Sequence, residues 1–304
     1  MLDQSMLVFL TVAEKQNFTR AAETLHLTQP AVSQHIQSLE AEMGTKLLER
    51  SNKYVRLNRA GEIVYRHGKE IAGLYARMQG MVDDLMQQPG GELSVGASYT
   101  FGEYVLPHMV AHLQRLYPLI KPKITIGNTA EIAALVAARV LDIGIVEGEP
   151  ERSGLHAEPV ASDRMYVVVS SASGLGDNGD IPPEALQDAH WIVREEGSGT
   201  REATERMLAA YGLNPPNKME FGSNQIIKEA VEAGLGVTLL SHWAVRKEIA
   251  LGTLNRLTVN GQPVERSFWL LLPEDRLHTK AAELFIEMLR SQSGMPDATG
   301  RAGD

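Results

Sequence analysis

Residues 19–42 read TRAAETLHLTQPAVSQHIQSLEAE, which is two short helical patterns divided by the triplet HLT. Thr28 can supply the N-cap oxygen of the second helix, and Pro30 lies in its first turn, where no backbone donor is lost. The inward stripe of this helix is Val32, Ile36, Leu39 and Met43, ended by Gly44. Its outer face is polar and carries Gln29, Ser33, Gln34, Gln37 and Ser38. Two helices joined by a short turn, with a polar face on the second, predict a helix-turn-helix.

The polar face of the second helix has two interpretations, a solvated surface or a surface that contacts DNA. A further helix over about 3–16 precedes the motif, and KLLERSNKYVRLNRAGE follows it with strand-like pieces interrupted at SNK, which predicts a small wing. Basic residues are interleaved along this wing: Arg50, Lys53, Arg56 and Arg59. Glutamine can bond adenine bidentately in the major groove, and serine can reach base edges or phosphates. The flanking helix and basic wing therefore favour DNA.

The charge distribution also favours a nucleic-acid surface in the first part of the chain. Net charge is −9, but residues 1–66 hold eight Lys/Arg and seven Asp/Glu, whereas the remainder carries −10. A nucleic-acid surface is therefore expected in the first part.

A long helical pattern runs from Asn58 to about Gln88, before the helix-breaking QQPGGE. From Ile71 onward its apolar steps alternate between three and four residues, which gives the 3.5-residue average of a coiled coil. The alternative is a globular helix with one buried face, whose period would tend toward 3.6. The length of the run beside a linker favours a dimerisation helix. Its predicted seam is Ile71, Leu74, Met78, Met81 and Leu85.

Beyond residue 92, strand-like runs alternate with helical patterns. The first set is ELSVGA, a helix near 103–116, KITIG, a helix near 131–139 and DIGIVEG. The second is MYVVVS, HWIVRE, a helix near 200–211, KMEFG, a helix near 224–233 and GVTLLS, before SFWLLLP and a helix near 278–290 return. This alternation predicts parallel sheets with covering helices, arranged as two lobes around a cleft. The final SQSGMPDATGRAGD is small and polar and predicts a disordered tail.

Three strand-to-helix junctions in this half carry hydrogen-bond donors. EEGSGTRE is not a P-loop, because no lysine follows its second glycine at the required spacing. It is either a flexible capped turn or an anion cradle, in which glycines bring helix N-terminal amides close to an anion. GASYTFGEY and GNTAEI repeat the arrangement, and ligands of open α/β sheets bind at such junctions. The predicted site for a small anionic effector is Ser98, Thr100, Asn128, Thr129, Ser198, Gly199, Thr200 and Arg201, with Arg201 as the countercharge.

Other classes of function have weaker support. The chain has no cysteine, which excludes disulfides and thiol nucleophiles and fits a reducing cytoplasm. The apolar run MLVFLTVA is too short to span a membrane and lacks signal-peptide features. His108 and His112 are spaced to share a metal, but no third ligand is evident, and a helix surface is the alternative.

An enzyme is the rival class, but the chain has neither a Ser-His-Asp ordering around an elbow nor a dinucleotide fingerprint. A transport-type solute receptor is the third class, and the helix-turn-helix and missing signal peptide count against it. We predict no catalytic residue, metal or cofactor.

The stretch FTRAAETLHLTQPAVSQHIQSLEAEMGTKLLER, followed by LNRAGE, resembles the DNA-binding region of LysR-type transcriptional regulators over nearly all of residues 5–66. The remainder agrees in organisation. Within it, VREEGSGTRE is similar to a subgroup linked to sulfur-oxyanion metabolism, including sulfite-responsive regulators. The resemblance implies an N-terminal winged helix-turn-helix, a long linker helix, and then an α/β periplasmic-binding-protein-like effector domain of two lobes.

The expected boundaries are 1–58 for the DNA-binding domain, 59–89 for the linker helix, 90–292 for the effector domain and 293–304 for the tail. Within the effector domain, lobe 1 covers about 90–162 and 266–292, and lobe 2 about 163–265.

The resemblance also implies partners and roles. Gln29, Pro30, Ser33 and Gln34 are the expected base readers, and Arg50 and Lys53 the wing contacts to phosphate or the minor groove. The wider DNA-binding set adds Thr28, Gln37 and Arg56. The expected DNA is an inverted repeat with T and A separated by about eleven bases, bound by a dimer or tetramer. The effector is expected to be sulfite or a related oxyanion, with a small organic acid as the alternative. RNA polymerase is an expected further partner. No membrane association is expected, and the expected location is the cytoplasm.

Overall fold

The computed structural model describes residues 3–50, 54–84, 89–148, 154–175, 179–274 and 278–296. The chain divides into two compact units, Met1–Met86 and Gln87–Asp304. Within the described ranges, no helix has the length and apolar character needed to cross a membrane.

The helices are α1 (Gln4–Lys15), α2 (Phe18–Leu25), α3 (Gln29–Glu42), α4 (Arg59–Asp84), α5 (Tyr99–Tyr104), α6 (Leu106–Leu116), α7 (Thr129–Ala137), α8 (Gly199–Ala210), α9 (Asn224–Glu232), α10 (His242–Leu251) and α11 (Lys280–Ser291). A short 3₁₀ helix spans Pro183–Leu186.

The strands are β1 (Leu48–Arg50), β2 (Val55–Leu57), β3 (Gly91–Ser98), β4 (Ile120–Gly127), β5 (Ile143–Glu147), β6 (Leu155–Ser170), β7 (Asp180–Ile181), β8 (Trp191–Arg194), β9 (Lys218–Phe221), β10 (Thr238–Ser241), β11 (Leu254–Val259) and β12 (Val264–Pro273).

The first unit has the predicted helix-turn-helix, α2 and α3, packed on α1. Asn17 caps α2 through its side-chain oxygen, which accepts from the amides of Thr19 and Arg20. Thr28 caps α3 in the same way, as predicted. The shared core contains Val8, Phe9, Val12, Ala21, Val32, Ile36 and Leu39. The predicted burial of Met43 is wrong: this side chain is 40% exposed, because α3 ends at Glu42 and Met43 lies beyond its last turn.

The predicted wing is an antiparallel hairpin of β1 and β2, while its SNK turn falls outside the described residues. Glu40, buried on α3, accepts hydrogen bonds from the Leu47 amide at 3.0 Å and from Lys46 Nζ at 2.9 Å. A Cβ on Gly61 would lie 2.1 Å from the Leu47 carbonyl oxygen, so α4 begins against the wing where only glycine fits. These contacts fix the wing relative to α3.

Helix α4 has two differently packed parts. Near its start, Ala60, Val64 and Tyr65 pack on the core of the first unit. Three predicted seam residues are instead well exposed on this chain: Ile71 (52%), Leu74 (44%) and Met78 (52%). The Met81 side chain and Leu85 lie outside what the structure describes. The dimerisation seam therefore remains a prediction.

The second unit is built on one sheet of eight strands, with the order β4-β3-β5-β12-β6-β11-β7 and β10 also paired to β6. β3 runs parallel to β4 and β5, whereas β12 and β6 are antiparallel to their neighbours. The predicted parallel pairing is thus present in part: β8 and β9 also pair in parallel as a separate two-stranded sheet, but the eight-stranded sheet is mixed. The long strands β6 and β12 pair with each other along ten residue pairs, and they connect the two lobes.

Each lobe has its own hydrophobic core. Lobe 1 here denotes β3, β4, β5 and the C-terminal part of β12 with α5, α6, α7 and α11, and its core includes Val95, Phe101, Met109, Phe268 and Phe285. Lobe 2 denotes the C-terminal part of β6 with β7–β11 and α8–α10, and its cores include Val167, Trp191, Leu239, Ile227 and Val245.

Several details differ from the predicted elements. The helix near 103–116 is two helices, because Pro107 has no amide hydrogen to continue α5. β7, α10 and β11 are absent from the predicted set. At the end of the chain, Met295 packs against the lobe 1 core, and residues 297–304 lie outside the described residues.

Candidate functional site

The outer face of α3 carries the polar residues that the sequence singled out. Gln29, Ser33 and Gln37 follow one another at four-residue intervals along one side, flanked by Pro30 and Gln34. Ser33 is half-buried, and the other four are exposed, as is Thr28. Gln29 Nε2 donates to Ser33 Oγ at 3.1 Å, so the two side chains are already aligned. The face offers amide and hydroxyl groups free of apolar cover, which suits base edges.

Of the four basic residues predicted along the wing, the structure describes the side chains of Arg56, on β2, and Arg59, which begins α4. Arg56 lies exposed on β2, with its guanidinium 4.8 Å from the centre of the Tyr54 ring. The backbone of Arg50 ends β1, but its side chain and all of Lys53 lie outside what is described. The predicted wing contacts of Arg50 and Lys53 therefore remain predictions.

In the second unit, the starts of α7 and α8 meet at one carbonyl group. Thr129 Oγ1 donates to the Glu147 carbonyl oxygen at 3.1 Å. A Cβ on Gly199 would lie 2.1 Å from the same oxygen, so this close approach of lobe 2 to lobe 1 requires glycine. Ser198 Oγ caps α8 by accepting from the Thr200 amide at 3.2 Å. Two of the predicted effector residues, Thr129 and Gly199, thus lie against the Glu147 carbonyl.

A buried arginine that the sequence analysis missed joins the two lobes. Arg266 on β12 donates to Thr100 Oγ1 in lobe 1 and to Thr200 Oγ1 in lobe 2, each at 3.1 Å. Its Nε donates to Asp163 Oδ2 at 2.7 Å, and its Nη1 lies 3.7 Å from Glu147 Oε2. Predicted hydroxyls from both lobes therefore share one guanidinium.

The carboxylates around Arg266 are held almost free of water. Burial raises the pKa of Asp163, while Arg266 and the Ser241 hydroxyl, which donates to Asp163 Oδ1 at 2.6 Å, favour its ionised form. The Thr100 amide donates to Glu147 Oε1 at 2.8 Å. This buried network joins residues of lobe 1 and lobe 2.

A second arginine forms another bridge between the lobes. Arg194, at the end of β8, lies with its guanidinium 4.4 Å from the centre of the Tyr99 ring, which belongs to lobe 1. Its neighbour Glu195 accepts from Asn128 Nδ2 of lobe 1 at 3.4 Å. The Ala130 amide also donates across the cleft to the Gly197 carbonyl at 3.1 Å. Burial disfavours ionisation of Glu195, but hydrogen bonds from Arg194 outweigh it and hold the Glu195 pKa below its usual value.

The side chains of Arg201 and Ser98, both predicted to bind the effector, are hydrogen-bonded to other groups of the protein. The Arg201 guanidinium is bound by Glu205 and Glu220 and also donates to the Arg194 carbonyl, so two carboxylates already neutralise it. Ser98 is buried, and its hydroxyl donates to the Ile145 carbonyl at 3.4 Å. Their predicted roles in effector binding remain predictions, whereas Arg194 and Arg266 are buried and contact residues of lobe 1.

One sequence signal could have identified Arg266. In VERSFWLLLP the alternation places Arg266 on the same side of the strand as the buried Phe268 and Leu270. A charged residue on an inward face requires a partner. Its partner Asp163 lies 103 residues earlier and becomes its neighbour only through the pairing of β6 with β12.

The two histidines considered for metal binding gain no support. Among the described residues, no group of three or more His, Asp or Glu side chains is arranged to hold a metal ion. His112 Nδ1 instead contacts the guanidinium of Arg115 at 3.0 Å.

Known protein families match both units. Residues 4–62 match the family described as "Bacterial regulatory helix-turn-helix protein, lysR family", and residues 86–294 match the LysR substrate binding domain. The HTH-type transcriptional regulator CysL of Bacillus subtilis is 37% identical over 283 residues, covering 93% of this chain and 95% of CysL.

Solved structures agree with the fold. CbnR, a LysR family transcriptional regulator, has a TM-score of 0.73 at 20% identity, covering 97% of this chain and 99% of CbnR. The CcmR regulatory domain of Synechocystis PCC6803, solved in complex with 2-PG, has a TM-score of 0.62 at 25% identity, covering 66% of this chain and 96% of that domain. The predicted regulator class is therefore confirmed over the rival enzyme: the chain belongs to the LysR family of bacterial helix-turn-helix regulators.

Proposed function

We propose that this regulator binds inverted-repeat DNA as a dimer or tetramer, with the outer face of α3 in the major groove. The observation that carries this proposal is the row of aligned polar side chains on the second helix of the helix-turn-helix. Gln29, Pro30, Ser33 and Gln34 are the proposed base readers, and Thr28, Gln37 and Arg56 complete the described part of the surface. RNA polymerase is a proposed further partner, and a cytoplasmic location is proposed because the target is DNA.

We expect Gln29→Ala to weaken binding to the specific site by about 1–3 kcal/mol, because a bidentate contact to a base is lost. Binding to unrelated DNA should change little. Arg56→Ala should instead weaken both and lower the salt slope by about one, since it removes a phosphate contact. Fluorescence anisotropy measures the affinity for a site enriched from random DNA, the affinity for unrelated DNA and the salt slope. The matched control is Gln79→Ala, which changes an exposed glutamine on α4. Equal loss on specific and unrelated DNA for Gln29→Ala would exclude the base-reading role.

The second part of the proposal is a small anionic effector in the cleft between the lobes. The starts of α7, α8 and α9 lie at or beside the contacts between the lobes, where Asn128 bonds Glu195, Thr200 bonds Arg266 and Asn224 bonds Arg194. Helix N-termini favour anions. Hydroxyls at Thr100, Thr129 and Ser198 and two buried arginines add donors. The relative CcmR was solved with 2-PG, which supports a small ligand in this kind of domain.

Sulfite or a related sulfur oxyanion is the proposed effector, and a small organic acid is the alternative. The proposal rests on the resemblance of VREEGSGTRE to the sulfur-oxyanion subgroup, and the 37% identity to CysL agrees with it. The proposed boundaries are 1–58 for DNA binding, 59–89 for the linker helix, 90–292 for the effector domain and 293–304 for the tail.

A further inference from the structure

The guanidinium of Arg194 is arranged as a receptor for two oxygens. Arg194 is 1% exposed. Its Nε and Nη2 donate to the two carboxylate oxygens of Glu195, each at 2.7 Å. Such a parallel pair of bonds is the geometry in which arginine holds a carboxylate, a phosphate or a similar oxyanion. Here the oxygens come from the neighbouring residue of the same chain.

A second hydrogen-bond donor, the side-chain amide of Asn224, lies beside Arg194. Asn224, the first residue of α9, is 0% exposed, and its Oδ1 accepts from Arg194 Nη1 at 3.0 Å. Its Nδ2 has no hydrogen-bond partner within the described part of the protein. A buried amide left unpaired is costly, so its presence beside a guanidinium and a helix N-terminus points to a ligand that supplies oxygen.

The carboxylate of Glu195 lies closer to solvent than the guanidinium that it binds. Its side chain is 25% exposed, whereas that of Arg194 is almost completely buried. The Tyr99 ring covers one face of the guanidinium, so an incoming anion must compete for the edge that Glu195 occupies. If Glu195 rotates toward solvent, its bond from Asn128 of lobe 1 is lost with it.

We propose that Arg194 and Asn224 form the anion-binding position of the cleft, for a carboxylate, phosphate or sulfur oxyanion, and that Glu195 occupies it as an internal competitor. This inference rests on the proposed binding of an anionic effector. The effector exchanges with a carboxylate of equal sign, so binding needs no additional cation. It also removes the Glu195–Asn128 link between the lobes, which couples occupancy to the contact between them.

The test is calorimetric titration of the full chain with sulfite, sulfate, phosphate, 2-PG and small organic acids. We expect Glu195→Gln to lower the dissociation constant of the bound anion by at least about tenfold, because a larger fraction of chains then has an accessible Arg194. Glu196→Gln, which removes the exposed neighbouring carboxylate, should leave it unchanged. Asn224→Asp, which puts a negative charge beside the anion, should weaken binding by at least about tenfold relative to the wild type.

The outcomes separate this inference from the effector proposal. A wild-type chain that binds an anion, with unchanged or weaker binding by Glu195→Gln, overturns the competitor role but leaves the effector proposal intact. Unchanged affinity in Asn224→Asp overturns the position itself. If Glu195→Gln binds an anion and the wild type does not, the inference is supported, because the Glu195 carboxylate would then occupy Arg194 in nearly all wild-type chains. If neither the wild type nor Glu195→Gln binds any of these anions, the effector proposal fails, and this inference with it.

Discussion

Replacing Arg266 with methionine will lower the free energy of unfolding of the second unit by about 3–5 kcal/mol, the usual cost of removing one partner from a buried ion pair. Arg266 neutralises Asp163 and lies 3.7 Å from Glu147, and all three side chains are almost completely buried. Without the guanidinium, two carboxylates remain in a site with little water. The hydroxyls of Thr100 and Thr200 also lose the donor that joins the two lobes.

Urea unfolding followed by tryptophan fluorescence measures this loss selectively, because all three tryptophans, Trp191, Trp243 and Trp269, belong to the second unit. Arg290→Met is the matched control. It removes an arginine from the more exposed ion pair with Glu158, and should cost no more than about 1 kcal/mol. Adding Asp163→Asn to Arg266→Met should recover part of the loss, since one uncompensated charge disappears. Equal stability of the Arg266 and Arg290 variants would contradict the stabilising role of Arg266 between the lobes.

The second large effect concerns assembly through α4. Replacing Leu74 and Met78 together by aspartate will convert the oligomer to a smaller species, because burying unpaired charges in a seam costs several kcal/mol. Both side chains are well exposed on the single chain, as a seam that awaits a partner requires. Light scattering at micromolar concentration measures the mass.

The control for the seam is the pair Ala76→Asp and Gln79→Asp, which adds the same charge to exposed positions outside the predicted stripe. This pair should retain the wild-type mass. An unchanged mass for the Leu74 and Met78 pair would exclude the seam, and a reduced mass for both pairs would mean that charge alone destabilises the helix.

Local signals were sufficient for the first unit. The Thr28 cap, the Pro30 position and the spacing of Val32, Ile36 and Leu39 are all properties of one short segment, and the structure has them as predicted. The Met43 error arose at a helix end, where periodicity cannot tell the last turn from the residue after it. The two wing strands could also be predicted from local signals, because an antiparallel hairpin pairs residues that are close along the chain.

The strand-to-helix junctions of the second unit can be predicted from the sequence, but the charges around them cannot. Each of the three glycine- and hydroxyl-bearing junctions lies at the start of a helix, as predicted. The motif EEGSGTRE predicts Arg201 as the countercharge because the motif contains this arginine. Glu205 and Glu220 bind it, and the second of these lies on another element, β9. Arg266 was missed because its partner Asp163 comes from a distant strand, and pairing at that separation has no local signature.

The most direct test of the account compares the affinity of the wild-type chain for its enriched DNA site with that for the same bases in shuffled order. We expect fluorescence anisotropy at one fixed salt concentration to give a ratio of specific to shuffled-site affinity of at least about 10³. We also expect the enriched site to consist of two inverted half-sites and to bind an even number of chains. A ratio near one, or enriched DNA without inverted half-sites, would contradict the account of a symmetric reader that uses the polar face of α3.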